Sequence, residues 1–76
     1  MLELVNFLVK EFVSEENYEI VVTEDGDDID IRVQVDKDHV GKIIGRQGRI
    51  AKAIRTIVKG AGQRLDQNYS VYIEER

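Results

Sequence analysis

The chain has 76 residues, 42% hydrophobic and 34% charged, with no cysteine and a formal net charge of −4. Without cysteine there are no disulfides, thiolate nucleophiles or cysteine-ligated metals, which suits a reducing, cytoplasmic setting. The length allows one domain, residues 1–76, whose core is small enough that a partner or a dimer is an ordinary way to add stability.

Leu2, Val5, Phe7, Leu8, Val9, Phe12 and Val13 recur at mostly helical spacing, which predicts a first helix over residues 2–13. Glu3, Asn6, Lys10 and Glu11 interrupt it, so it reads as neither a signal peptide nor a membrane span. The polar cluster Ser14 to Asn17 ends it. Tyr18 to Thr23 is β-branched and aromatic, a strand. Asp25-Gly26 signals a tight hairpin, because a primed turn needs positive φ. Ile29, Ile31, Val33 and Val35 then alternate with Asp30, Arg32 and Gln34, giving a strand with one buried face.

Asp36 or Asp38 is positioned to cap a short helix through Val40, Ile43 and Ile44. The run Gly45-Arg46-Gln47-Gly48 breaks that helix, and a longer one starts near Arg49. On a helical wheel Ile50, Ala51, Ile54, Ile57, Val58 and Ala61 fill one arc, with Lys52, Arg55 and Lys59 grouped opposite. Gly60 and Gly62 weaken its end, and residues 68–74 form a last strand. The order α-β-β-α-α-β, with an antiparallel hairpin and a crossover back to a parallel third strand, predicts an α+β two-layer domain. Its sheet is three-stranded and mixed, with the helices on one face.

An acidic total argues against nucleic acid until the charges are mapped. Lys42, Arg46, Arg49, Lys52, Arg55, Lys59 and Arg64 lie in a span from His39 to Leu65 that holds no Asp or Glu. That span carries +7 and the rest of the chain −11, and it is patches rather than totals that attract a polyanion. Within the span, Gly45 and Gly48 let backbone approach a ligand closely. The following helix turns its free N–H groups and positive dipole end toward the loop. Lys42, Arg46, Arg49 and Lys52 add full charges, and Val40 and Ile44 offer an apolar floor on which bases could lie. Together these groups suit a phosphodiester backbone.

Ile43-Ile44-Gly45-Arg46-Gln47-Gly48, set between two helices, resembles the signature of KH domains. The element order resembles their type II arrangement, and the short chain resembles the small bacterial KH proteins. The likeness covers essentially the whole chain and is strongest over residues 38–58. One position departs: where KH domains usually carry an aliphatic residue three places after the second loop glycine, this chain has Ala51, and Ile54 returns to register. The resemblance implies a non-catalytic module that clamps about four single-stranded nucleotides. Gly45, Arg46, Gln47 and Gly48 would form the clamp. Ile44 and Val40 would floor the groove, and Arg32 or backbone beside it would face the bases from the other wall. It also implies RNA-chaperone or post-transcriptional regulatory roles, and pairing with a larger KH-containing partner or with a second copy.

Other features yield blander readings. Glu24 to Asp30 lacks the ligand spacing of a calcium loop and reads as a solvated hairpin tip that repels RNA. His39 has no nucleophile beside it and reads as a surface residue. No phosphate-binding P-loop, dinucleotide fingerprint or metal cluster is present, so no cofactor, metal or enzymatic activity is expected. The alternative reading is a protein-interaction or assembly domain whose KH-like loop is degenerate. Gly45-Arg46-Gln47-Gly48 favours RNA, because neither middle position carries an acid to repel phosphate.

Overall fold

The computed structural model describes all residues, Met1 to Arg76. The elements run α1 (Leu2–Lys10), β1 (Tyr18–Asp25), β2 (Asp28–Val35), α2 (Val40–Ile44), α3 (Arg49–Arg64) and β3 (Asn68–Glu75). The sheet order is β1-β2-β3, with β1 antiparallel and β3 parallel to β2. This is the α+β arrangement that the sequence and the type II KH resemblance imply.

β2 positions everything else. Its alternation is complete: Ile29, Ile31, Val33 and Val35 are buried, while Asp30, Arg32 and Gln34 turn to the opposite face. Onto the apolar face pack Val5 and Val9 of α1, Ile43 of α2, Ile54 and Val58 of α3, and Val71 of β3. No buried side-chain polar atom lacks a partner. Tyr18 shows how the rim is managed. Its ring is buried and its hydroxyl donates to Asn6 Oδ1 at 2.5 Å. Burial, with a smaller contribution from the Glu15 carboxylate, pushes its phenol pKa up.

The structure moves several boundaries, each for a local reason. α1 stops at Lys10 rather than at residue 13, yet Glu11 keeps helical angles, and Phe12 and Val13 both donate to the Val9 carbonyl. Val13 therefore stays buried one turn on from Val9, and the apolar spacing outlasts the helix. The hairpin loop is Gly26-Asp27, one residue later than expected, with Asp25 already paired to Asp28. Gly26 holds φ +63° at the first loop position, where a II′ turn takes glycine.

α3 runs through Gly60 and Gly62 to Arg64, and Gly62 has a packing role there. A Cβ there would lie 2.5 Å from Cδ2 of Tyr69, so the residue lets β3 close against the helix. The helix ends in a turn in which Gln67 N–H donates to the Gly62 carbonyl and Asp66 N–H to that of Gln63, with Asp66 left-handed at φ +55°.

Candidate nucleic-acid interface

α2 is short because glycine follows it, and it is anchored by the fully buried Ile43, with half-buried Val40 packed against the same core. Its start is held by backbone. His39 is the N-cap, without a side-chain cap bond, and the Asp36 carbonyl accepts from His39 N–H at 2.8 Å and Val40 N–H at 3.1 Å. The expected aspartate caps are thus not formed. The Asp36 carboxylate instead accepts from Arg76 Nε at 2.6 Å, which ties the end of β3 to the entry of α2. That bond, ahead of the Coulomb attraction of the same carboxylate, pushes the Arg76 pKa up.

Gly45 ends α2 at φ +73°, ψ −178°, a conformation open in practice only to glycine. Space makes the same demand, since a Cβ on Gly45 would lie 2.7 Å from Cγ1 of Ile50. Arg46 to Gly48 then form one tight turn in which Gln47 and Gly48 are both left-handed, at φ +56° and +71°. A glutamine there is unusual, because the left-handed region crowds Cβ against the following carbonyl. Passing from left-handed Gly48 to right-handed Arg49 turns successive N–H groups toward one side, the geometry of an anion-binding nest. No side chain caps α3, and its first turn holds no acid, so nothing inside the protein competes for that positive helix end.

Lys42, Arg46, Gln47, Arg49 and Lys52 are all exposed around this turn, with Ile44 37% exposed and Val40 half-buried beside them. The structure thus brings together every residue expected at the clamp and its floor. Their polar contacts are few and weak: Lys42 Nζ lies 3.4 Å from His39 Nδ1, and Arg49 donates to Gln47 Oε1 at 3.4 Å. The chain's ion pairs are Lys10–Glu15, Arg32–Glu74 and Arg76–Asp36. None of the seven cations between His39 and Leu65 takes part in one, so the whole +7 is available to an external anion.

Arg32 is not brought to this site. It lies on the helix-free face of the sheet, stacked 4.8 Å over the Tyr72 ring and paired with Glu74 at 3.3 Å. The wall that faces α3 is β3. Between them runs an open cleft of about 440 Å³, lined by Arg55, Thr56 and Lys59 of the helix and by residues 68–72 of the strand. Arg55 reaches across it, its Nε donating to the Val71 carbonyl at 3.2 Å.

The sequence reading grouped Arg55 with Lys52 and Lys59 as a solvent face and so missed its contact with the strand. The wheel held the signal, since Arg55 sits only about 20° from Gly62, the residue on which β3 closes. The apolar arc of α3 is also wider than the core: Ala51, Ile54, Val58 and Gly62 are buried, while Ile57 is 47% exposed. His39, Asp and Glu side chains form no group that could hold a metal ion, and no helix is long and apolar enough to cross a membrane.

Comparison with known proteins matches the family described as KhpA/KhpB, KH domain, over residues 2–73. A Listeria monocytogenes protein named RNA-binding protein KhpA is 37% identical over 76 residues, covering 99% of this chain and 100% of its own. The protein of the same name from Clostridium perfringens is 39% identical over 75 residues, 97% of each chain. That from Aquifex aeolicus is 34% identical over 74 residues, 96% of this chain and 94% of its own.

Proposed function

The chain belongs to the KhpA/KhpB family of KH domains, and on that premise we propose that it binds single-stranded RNA without catalysis, gripping the backbone at Gly45 to Gly48. The observation that carries this reading is the uncapped, acid-free start of α3 beneath a left-handed glycine turn, ringed by cations with no internal acid to neutralise them. Phosphate meets backbone N–H groups, the helix dipole and Lys42, Arg46, Arg49 and Lys52 together. Bases leaving the loop pass Ile44 and Val40 and enter the cleft between α3 and β3, where Arg55 and Lys59 line one wall. The setting is cytoplasmic, and the role is that of an RNA chaperone or post-transcriptional regulator. A homodimer, or pairing with a larger KH-containing protein, raises avidity for longer RNA.

The test is fluorescence anisotropy with a labelled pool of short single-stranded RNAs at two salt concentrations. Wild type is compared with Arg46→Asp/Gln47→Asp, and thermal melting confirms that both fold. Aspartate tolerates the left-handed conformation at position 47, so the double variant tests charge rather than geometry. If two to four phosphates are neutralised, log affinity falls against log salt with a slope of roughly −1.4 to −2.8, and the folded variant loses binding. Equal binding by that variant sinks the clamp. The lead then passes to an assembly domain, a reading favoured by the exposure of Phe7 (62%), Leu65 (58%) and Ile57.

A further inference from the structure

The sheet order β1-β2-β3 leaves two open edges. On β3 the edge faces the α3 cleft, where the Val71 carbonyl already accepts from Arg55. On β1 it lies at the far side of the sheet, and the hairpin fixes which groups it shows. A two-residue loop makes Asp25 and Asp28 exchange both backbone bonds, so Thr23, Val21 and Glu19 bond β2 in alternation. The Asn17 carbonyl, which accepts from Asp36 N–H, keeps the same phase. Ile20, Val22 and Glu24 therefore turn N–H and C=O outward, and no loop or side chain supplies them a partner. The edge belongs to a strand of 8 residues with an unbroken register and no proline. Of the devices that blunt a strand edge, it carries only charge.

Beside the start of this edge an open groove of about 390 Å³ runs between α1 and β1, lined by Leu2, Glu3, Asn6, Glu15, Tyr18 and Ile20. Glu15 shares Lys10, but Glu3 in the groove and Glu24 and Asp25 at the other end of the strand take part in no ion pair.

We propose that the free edge of β1 takes up, as a fourth strand, an extended segment of another protein that alternates basic and aliphatic residues. Its backbone pairs with Ile20, Val22 and Glu24, and every second side chain enters the groove. A lysine or arginine fits there, its aliphatic stem on Leu2 and Ile20 and its charge at Glu3 and Glu15. The intervening side chains fall beside Val21, which is 36% exposed on the helix-free face. Complementary charge selects this occupant, because the same carboxylates repel the β1 edge of a second copy and the phosphates of RNA. The loop and the α3 cleft stay open, so this docking neither rests on the RNA-binding reading nor competes with it.

The probe is a short peptide of alternating lysine and valine, added to the isotope-labelled full chain and followed by NMR amide shifts and hydrogen exchange. The amides of Ile20, Val22 and Glu24 slow in exchange by roughly tenfold or more, while Val21 and Thr23, already bonded to β2, and Gly45 to Arg49 keep their rates. Methylating the peptide's backbone nitrogens at every second residue blocks binding in one phase and spares it in the other, since only one set of amides faces β1. A glutamate–valine peptide does not bind. Val22→Pro abolishes binding and keeps the fold, because its N–H makes no ladder bond. Should thermal melting show that variant unfolded, the methylated peptides decide on wild type alone.

A lysine–valine peptide that leaves the three edge amides unchanged overturns the proposal. So does binding retained in both methylated phases, which is charge attraction without strand pairing, and so does equal binding of the glutamate–valine peptide. Protection of the same amides in the chain alone, fading on dilution, gives the edge to a second copy. Protection by a labelled single-stranded RNA gives it to nucleic acid. Either result overturns the proposal.

Discussion

Two turns in this chain are built on left-handed glycine, and they differ in every other respect. The hairpin turn at Gly26-Asp27 joins strands whose ladder runs unbroken from Tyr18–Val35 to Asp25–Asp28, so the sheet dictates the turn. One residue there has positive φ, it is glycine, and a Cβ on it would meet nothing within 4 Å. At Gly45 to Gly48 three of four residues have positive φ, one of them is glutamine, and Gly45 has no room for a Cβ. The first turn costs the fold little and faces solvent among acids. The second concentrates unfavourable backbone geometry where an uncapped helix start and the unpaired cations Lys42, Arg46, Arg49 and Lys52 meet. Strain gathered at one exposed, cationic place fits the binding role proposed for this loop, whereas the hairpin turn carries no such concentration.

The sharpest way to break that contrast is to add one methyl group to each turn. Gly45→Ala meets both the forbidden dihedral and the Ile50 side chain, and should lower stability by about 2–4 kcal/mol, read from the urea midpoint. Gly26→Ala meets only the left-handed penalty in open space and should cost about 1–2 kcal/mol. Equal losses at the two positions would mean that the loop is no more constrained than the hairpin.

A smaller change sharpens the role of Gln47. If its backbone forms the clamp, Gln47→Gly leaves RNA affinity within about threefold. It also leaves stability within about 0.5 kcal/mol, because relief of the left-handed penalty offsets the greater freedom of glycine in the unfolded chain. A β-branched Gln47→Val should cost about 1–2 kcal/mol instead, measured by thermal melting. A tenfold loss of RNA binding in Gln47→Gly would show that the side chain, not the peptide, makes the contact.

The sequence made the fold legible because its periods are clean. β2 alternates without exception, and α3 sorts its lysines from its isoleucines, so element order and topology follow. The loop was legible through Gly45 and Gly48 and the lack of acids between His39 and Leu65. What stayed hidden depends on contacts across the fold. That Gln47 is left-handed follows from how α2 and α3 are joined, not from anything in glutamine. That Asp36 serves Arg76 rather than capping α2 depends on where β3 ends. That Arg32 faces away from the loop was implicit in its alternation with Ile31 and Val33. Choosing between β2 and β3 as the far wall of the groove needed the sheet order.

The smallest effect expected comes from the acidic turn, and its size measures how far RNA extends. The hairpin tip lies beside Asn68, whose side chain bonds Asp28 at 2.8 Å, at the start of β3 and near the end of α3 remote from the loop. α3 has 16 residues, so at a rise of 1.5 Å each its two ends lie roughly 24 Å apart. Screening at physiological salt acts over about 8 Å. RNA held only at Gly45 to Gly48 scarcely feels the tip, and Asp25→Asn/Asp27→Asn should raise affinity no more than about twofold, visible chiefly at low salt. RNA that runs the length of the cleft passes Lys59 and ends at Asn68, against those carboxylates. A gain of fivefold or more that survives physiological salt would then put the strand along all of α3 rather than at the loop alone, and would make the hairpin acids the far boundary of the binding site.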